Sequence, residues 1–198
     1  MEKQKNKIIT LTGAGGSGKT TIINLLCKNK GYFHANNTTS RPKRKGERQG
    51  DPYYFVSKKK FESLIENNKL IEWVTFNGNY YGMQRKTISN LMKKGNCVID
   101  LDLVGVKKFR EIFGENHFRV FVYLPLSTLK NRLIARGDSK EHIEARLKLA
   151  KEENAQRFSF DFIVKNEEGM AQKCADDIKE RIEKLEIKTK KQSLAKKN

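Results

Sequence analysis

Two rhythms of apolar and polar residues alternate along this chain. Ile8-Ile9-Thr10-Leu11-Thr12 is a short apolar and β-branched run that reads as a buried strand. Thr21 to Cys27 then carries apolar residues at helical spacing and stops near Gly31. Tyr32 to Thr39 is polar and extended. Ser57 is placed to cap a helix over Lys58 to Asn68, with Phe61, Leu64 and Ile65 on one face. A strand is expected over Leu70 to Phe76, a turn at Asn77-Gly78-Asn79, and a helix from about Gln84 to Lys94 that ends at Gly95. Asn96 to Leu103 reads as a strand, Val106 to Phe113 as a helix, and Phe118 to Leu124 as a strand ending at Pro125. Ser127 is the expected cap of a helix reaching Arg136 and closed by Gly137. Asp138 and Glu141 have the spacing of a capping box, starting a helix through Arg157. Phe160 to Val164 is a last strand, Ala171 to Leu185 a closing amphipathic helix, and Glu186 to Asn198 a frayed lysine-rich tail.

Strands that alternate with helices throughout predict an α/β fold, with a parallel sheet covered by helices on both faces. There are no internal repeats, and 198 residues suit a single domain with a real core. Hydrophobic residues make up 37% and charged residues 32%, and no run approaches the ~18 apolar residues of a membrane span. No secretory signal is visible near the N-terminus. Cys27, Cys97 and Cys174 are scattered without pairing or metal spacing, so a reducing, cytoplasmic setting is the expectation. The net charge is +18, but the lysines are dispersed rather than clustered. That favours a basic surface and anionic small-molecule substrates over specific nucleic-acid binding, leaving weak polyanion affinity as a side effect.

Candidate chemistry centres on the segment between the first strand and the first helix. Gly13-Ala14-Gly15-Gly16-Ser17-Gly18-Lys19-Thr20 fits the G-x-x-x-x-G-K-[ST] phosphate-binding loop. Its glycines let successive backbone N–H groups curl around a phosphate, and the following helix turns its positive end toward it. Lys19 is the residue to reach the β- and γ-phosphates, the Thr20 hydroxyl the one to ligate Mg²⁺, and Thr21 the next position of the same triphosphate site. Ser40 to Val56 interleaves Arg, Lys and paired Tyr with two prolines and two glycines, the pattern of a loop where a phosphate docks and a ring orients it. Asp100 ends an apolar strand, as a Mg²⁺ partner carboxylate does, and Asp102 shares its face by period two. Arg132 and Arg136 lie four apart on one helix and Arg146 on the next. Arginines on hinged helices can close over developing charge.

These motifs, in this order, resemble the guanylate kinases over nearly the whole chain. The matching segments are Gly13–Thr20, Thr38–Phe55, Glu72-Trp73, Gly78-Asn79-Tyr80-Tyr81-Gly82, Asp100-Leu101-Asp102, the arginines 132, 136 and 146, and Phe160–Asn166. The resemblance implies a P-loop kinase: a core of residues 1–35, 94–126 and 158–190, a GMP-binding insertion over 36–93, a helical lid over 127–157, and a disordered basic tail over 187–198. It implies that Arg41, Arg44 and Tyr53, with Tyr81, grip the phosphate of GMP, and that Glu47 and Asn37 belong to the same site. Glu72 and Asp102 match the carboxylates that accept hydrogen bonds from guanine. Arg132, Arg136 and Arg146 match the lid and transition-state arginines, and Asn166 a residue near the adenine of ATP.

The implied activity is transfer of a phosphoryl group from ATP, with Mg²⁺, to GMP or dGMP, by a monomer or a homodimer with no membrane partner. Three departures from the family pattern stand out. Met83 stands where a Ser or Thr usually sits near the guanine O6, with Gln84 as a substitute donor. Asn36-Asn37 replaces a serine, and one residue is inserted near Ser40. They keep a second reading open, a nucleoside monophosphate kinase of altered base preference. A third is a non-catalytic module of the same fold that binds phosphopeptides, which the intact phosphate loop disfavours.

Overall fold

The computed structural model describes residues 6–195. Five parallel strands form the main sheet: β1 (Ile8–Thr12), β2 (Tyr32–His34), β8 (Asn96–Asp100), β9 (His117–Tyr123) and β10 (Phe162–Lys165), in the order β10-β9-β1-β8-β2. Side chains alternate across it. Ile9 and Leu11 of β1 and Val98 of β8 pack on one face with Ile22, Ile23 and Leu26 of α1 (Lys19–Leu26) and with Ile178 and Ile182 of α7 (Ala171–Ala195). Ile8, Cys97 and Ile99 turn to the other face, against Ile88 of α3 (Arg85–Met92) and Val106 and Phe109 of α4 (Leu103–Phe113). A sheet covered on both faces has apolar residues at both parities, which is why its strands read as continuous runs.

A second sheet follows the first crossover. It contains β3 (Thr38–Thr39), β4 (Arg48–Gln49), β5 (Pro52–Phe55), β6 (Leu70–Phe76) and β7 (Asn79–Gln84), ordered β4-β5-β3-β7-β6. α2 (Lys58–Glu66) packs on it, its first turn capped by Ser57, whose Oγ accepts from the Lys60 N–H. The pattern predicted β6 but not β7, because Tyr80-Tyr81-Gly82 alone carries no readable alternation. Its antiparallel ladder with β6 through the Asn77-Gly78 turn supplies what propensity does not. Two helices, α5 (Leu126–Ala135) and α6 (Lys140–Ala155), form a hairpin whose buried Leu129, Leu133, Ile143 and Ala150 meet Ala14 and Leu124.

Several expected boundaries shift. α5 begins after Pro125, so Ser127 lies inside it rather than capping it. The cap of α6 is Ser139, which accepts from the His142 N–H, because Asp138 is held by Arg136 instead. β8 stops at Asp100, and Asp102 is the N-cap of α4, accepting from the Gly105 N–H at 2.7 Å. The period-two argument for Asp102 therefore fails, since the strand does not reach it. The final helix does not end near Leu185 but runs to Ala195 through the segment expected to be frayed, leaving 196–198 outside the described residues.

Candidate active site

The phosphate loop leaves the C-terminal end of β1, the central strand, at the point where the connections diverge to β8 on one side and β9 on the other. Ligands bind at that kind of crevice in open α/β sheets. Gly13 is required by contact: a Cβ there would stand 2.4 Å from the Val122 carbonyl oxygen. Gly18 has φ +89° and a Cβ there would meet the Asn166 side chain at 2.2 Å. Lys19 donates from Nζ to the Gly13 carbonyl at 2.7 Å and the Ala14 carbonyl at 3.3 Å, and lies 3.9 Å from Asp100 Oδ1. The ammonium is thus carried across the mouth of its own loop. Ser17 is fully buried and its Oγ has no partner. Thr20 and Thr21 follow on the first turn of α1 and are both exposed.

Two of the three candidate arginines of the hairpin reach this loop. Arg132 donates to the Gly16 carbonyl at 3.3 Å and to the Asn166 carbonyl at 2.9 Å. Arg146 holds Nη1 3.1 Å from the Cβ position of Gly15, and its Nε donates to His142 Nε2 at 3.3 Å. Arg136 turns instead to Asp138, an ion pair at the bend between the helices. Asp138, between the two helices, thus holds one of the three arginines in an ion pair. Asn166 is almost fully buried, with Nδ2 donating to the Ser17 carbonyl at 2.7 Å. In this arrangement it braces the phosphate loop and offers no surface to an adenine.

Opposite the loop, a cavity of about 220 Å³ is bounded by Thr20, His34, Asn36, Asn37, Tyr53 and Asp100. Desolvation raises the Asp100 carboxyl above its ordinary range, with Lys19 pulling it back and Asp102 adding to the rise. Asn36 donates to the Gly50 carbonyl at 2.6 Å, whereas Asn37 keeps a buried Oδ1 without a partner. Arg41 is held by Glu47 at 2.7 Å and lies 5.7 Å from the Tyr53 ring centre, itself 5.7 Å from that of Tyr81. Glu47 also accepts from the Arg44 N–H, and its bonds to Arg41 and Arg44 hold its carboxyl below the ordinary range. Glu47 is therefore a brace for Arg41, while the Arg44 side chain stays exposed.

Glu72 on β6 and Asp102 converge at the start of α4. A Cβ on Gly105 would stand 2.7 Å from Glu72 Oε2 and 3.3 Å from Asp102 Oδ1. Burial pushes the Glu72 carboxyl up, the Asp102 charge adds to it, and Lys108 opposes both. Met83 is fully buried among Ile71, Ile88 and Phe109, so it is a packing residue and not the base contact expected of it. Gln84 donates to Thr38 Oγ1 at 2.7 Å, which ties its side chain to β3.

Two participants escaped the sequence reading. Gly105 was invisible because only β6 folding over α4 gives it a neighbour. Glu153 on α6 has its carboxyl raised by desolvation, with Lys19 and Arg146 opposing and Asp102 adding. Its one sequence signal is the seven-residue spacing from Arg146, which puts both on one helix face.

Among the described residues no group of three His, Cys, Asp or Glu is arranged to hold a metal ion. The oxygen donors available at the loop are the Thr20 hydroxyl and the Asp100 carboxylate, on the rim of one cavity. That sparse, hard set suits Mg²⁺ bound mainly through substrate phosphates and water. Among the described residues no helix is long and apolar enough to cross a membrane.

The sequence model of one protein family, described as Guanylate kinase, matches residues 5–185. The guanylate kinase of Wolinella succinogenes is 37% identical over 170 residues, covering 84% of this chain and 79% of the relative. That of Nostoc sp. is 39% identical over 166 residues, covering 82% and 83%. A crystal structure of guanylate kinase from Anaplasma phagocytophilum superposes with a TM-score of 0.71 at 29% identity, covering 94% of this chain and 89% of that one. Shikimate kinase from Acinetobacter baumannii, at 14% identity and a TM-score of 0.51, shares the fold over 92% of this chain and 96% of its own.

Proposed function

Because the chain belongs to the guanylate kinase family, we propose that it transfers the γ-phosphoryl group of ATP to GMP or dGMP, with Mg²⁺ as the accompanying ion. The observation that carries this reading is the position of Arg41, Tyr53 and Tyr81 beside the cavity that begins at Thr20 and Asp100. A second phosphate grip facing a phosphate loop calls for a phosphorylated acceptor. Glu72 and Asp102 then supply acceptor oxygens for the guanine N1–H and exocyclic amine. Adenine has no such donors there and would leave a buried carboxylate unpaired.

A phosphate oxygen of GMP attacks the γ-phosphorus in line, forming a new P–O bond as the bond to the ADP oxygen breaks. The acceptor is already ionised, so no strong general base is needed. Catalysis is positioning and charge neutralisation. Lys19 lies where charge builds on the phosphates, held by the Gly13 and Ala14 carbonyls until substrate competes for it. Arg132 and Arg146 approach from the hairpin helices and shield the transfer from water. Thr20 and Asp100 would hold the Mg²⁺, which when bound neutralises β- and γ-phosphate charge. Arg136, paired with Asp138, needs a hinge movement to join them. The intact Lys19 and its loop support catalysis over a silent binding module.

The deciding experiment is a coupled assay of ADP release across GMP, dGMP, AMP, UMP and CMP. Turnover of GMP and dGMP well above the others is expected; AMP turnover exceeding GMP would overturn the guanine assignment.

A further inference from the structure

The larger cavity, about 370 Å³, lies at the opposite end of the main sheet from the phosphate loop. Lys7 precedes β1, His117 opens β9, Asp161 precedes β10, Arg110 is in the last turn of α4, and Arg181 is on α7; all five line it. The five residues of β1, at about 3.3 Å each, separate the two sites by about 16 Å.

Three cations face this space without a carboxylate within 4.0 Å among the described residues. Among the described residues Lys7 Nζ donates only to the Glu115 carbonyl, at 2.9 Å. Arg110 uses one nitrogen, Nη1, for the Gly114 and His117 carbonyls, which leaves Nε and Nη2 without a described partner. Arg181 lies over the Phe162 ring at 5.9 Å. Of the two acids on the rim, Asp161 is already neutralised by Arg119, which donates to both of its oxygens at 2.8 and 3.1 Å. Among the described lining residues only the Glu115 side chain opposes the three cations.

His117 adds an independent signal. It is 1% exposed, its Nε2 lies 2.8 Å from Thr10 Oγ1, and its Nδ1 is buried without a partner. Burial and the charge of Arg119 keep the ring neutral. The Thr10 hydroxyl and Nε2 share one hydrogen bond whose direction depends on the ring tautomer. In either tautomer a ring nitrogen of a cavity-lining residue stays buried without a partner, which is costly.

We propose that this cavity is a second anion site, for the phosphate or pyrophosphate group of a small molecule, held by Lys7, Arg110 and Arg181 with His117 beneath them. It does not depend on how the phosphate loop is used, and its failure would leave the kinase reading untouched.

The test is calorimetric titration of the full chain with inorganic pyrophosphate, and in a parallel arm with ADP. Two pyrophosphate sites per chain are expected in the wild type. Arg110→Gln with Arg181→Gln should leave the loop site and weaken the other by about tenfold or more. Lys19→Ala should do the reverse. Arg181→Gln alone, on the exposed side of α7, serves if the Arg110 change unsettles the end of α4; its kcat should match the wild type. Displacement by ADP as well as pyrophosphate assigns the site to nucleotide phosphates, and by pyrophosphate alone to the free anion. An unchanged isotherm in the arginine variants overturns the proposal. So does an RNA oligonucleotide binding through these arginines where pyrophosphate does not.

Discussion

The guanidinium of Arg146 rests against Gly15, with Nη1 3.1 Å from where a Cβ on that glycine would stand. A helix of the hairpin therefore reaches into the middle of the phosphate loop through a position that has no side chain. Gly16 does the same for Leu129, whose Cδ1 lies 3.1 Å from its Cβ position. The two glycines between Ala14 and Ser17 have a physical use: they let α5 and α6 approach the loop closely.

The loop's glycines should then differ in what they tolerate. Gly13→Ala drives a Cβ to 2.4 Å from the Val122 carbonyl, which is backbone and cannot step aside. Urea unfolding is expected to show a loss of about 2 kcal/mol or more. Gly15→Ala meets only the end of a flexible arginine, and its stability should stay within about 0.5 kcal/mol of wild type. Equal destabilisation of the two variants would contradict the contacts assigned to them.

Lys19→Ala should keep the fold, since the lysine's bonds are to two loop carbonyls at the mouth of the site. Loss of a group that neutralises transition-state charge typically lowers kcat by about 10²–10³-fold. Steady-state kinetics at saturating ATP and GMP would measure it, and a near-normal kcat would remove Lys19 from the mechanism.

Gly105→Ala is expected to act on GMP alone. The new methyl would crowd Glu72 Oε2 at 2.7 Å and turn that carboxylate from the base. Glu72→Gln removes the charge and turns one of the two acceptor oxygens into a donor nitrogen. Each should raise the KM for GMP by about 10–100-fold and leave the KM for ATP unchanged. Because the Glu72 carboxyl is raised by burial and by Asp102, the wild-type KM for GMP should begin to climb on acidification earlier than a solvent-exposed glutamate would allow. A parallel rise in both KM values would place Glu72 outside the base site.

Acid stability should carry the signature of His117. Burial lowers its pKa from 6.5 to about 4, with Arg119 and Arg110 adding to the drop against Asp161. The unfolded chain then takes up a proton between pH 6.5 and 4 that the folded chain refuses. Stability is fully present above pH 6.5 and declines as pH falls toward 4, by about 2 kcal/mol at pH 5 if His117 acts alone. His117→Gln should flatten that part of the profile in urea titrations at pH 7 and pH 5. An acid limb unchanged by the substitution would assign the loss to other groups.

The main sheet was legible because its strands are buried on both sides, and continuous apolar runs such as Ile8–Leu11 and Val120–Val122 admit few other readings. The phosphate loop was legible because its function resides in local backbone conformation, which the glycines and Lys19 encode over eight residues. The second sheet was less so. β3 and β4 are two residues each and exist only through their partners, and β7 needs β6 to show itself. Met83 lay next to Tyr81 and Gly82 in sequence, yet the packing of Ile71 and Phe109 around it turned it into core.

By itself, the sequence determined an α/β chain built around a phosphate loop, with the basic and acidic groups of a two-nucleotide site arranged along it. Tertiary structure decided which of those groups meet. It sent Arg132 and Arg146 to the loop and Arg136 to Asp138, made Glu47 a brace for Arg41, and set Glu72 against Gly105. The reason is range. Periodicity and loop chemistry act over a few neighbouring residues, whereas a side chain's partner depends on how elements far apart in sequence come to pack.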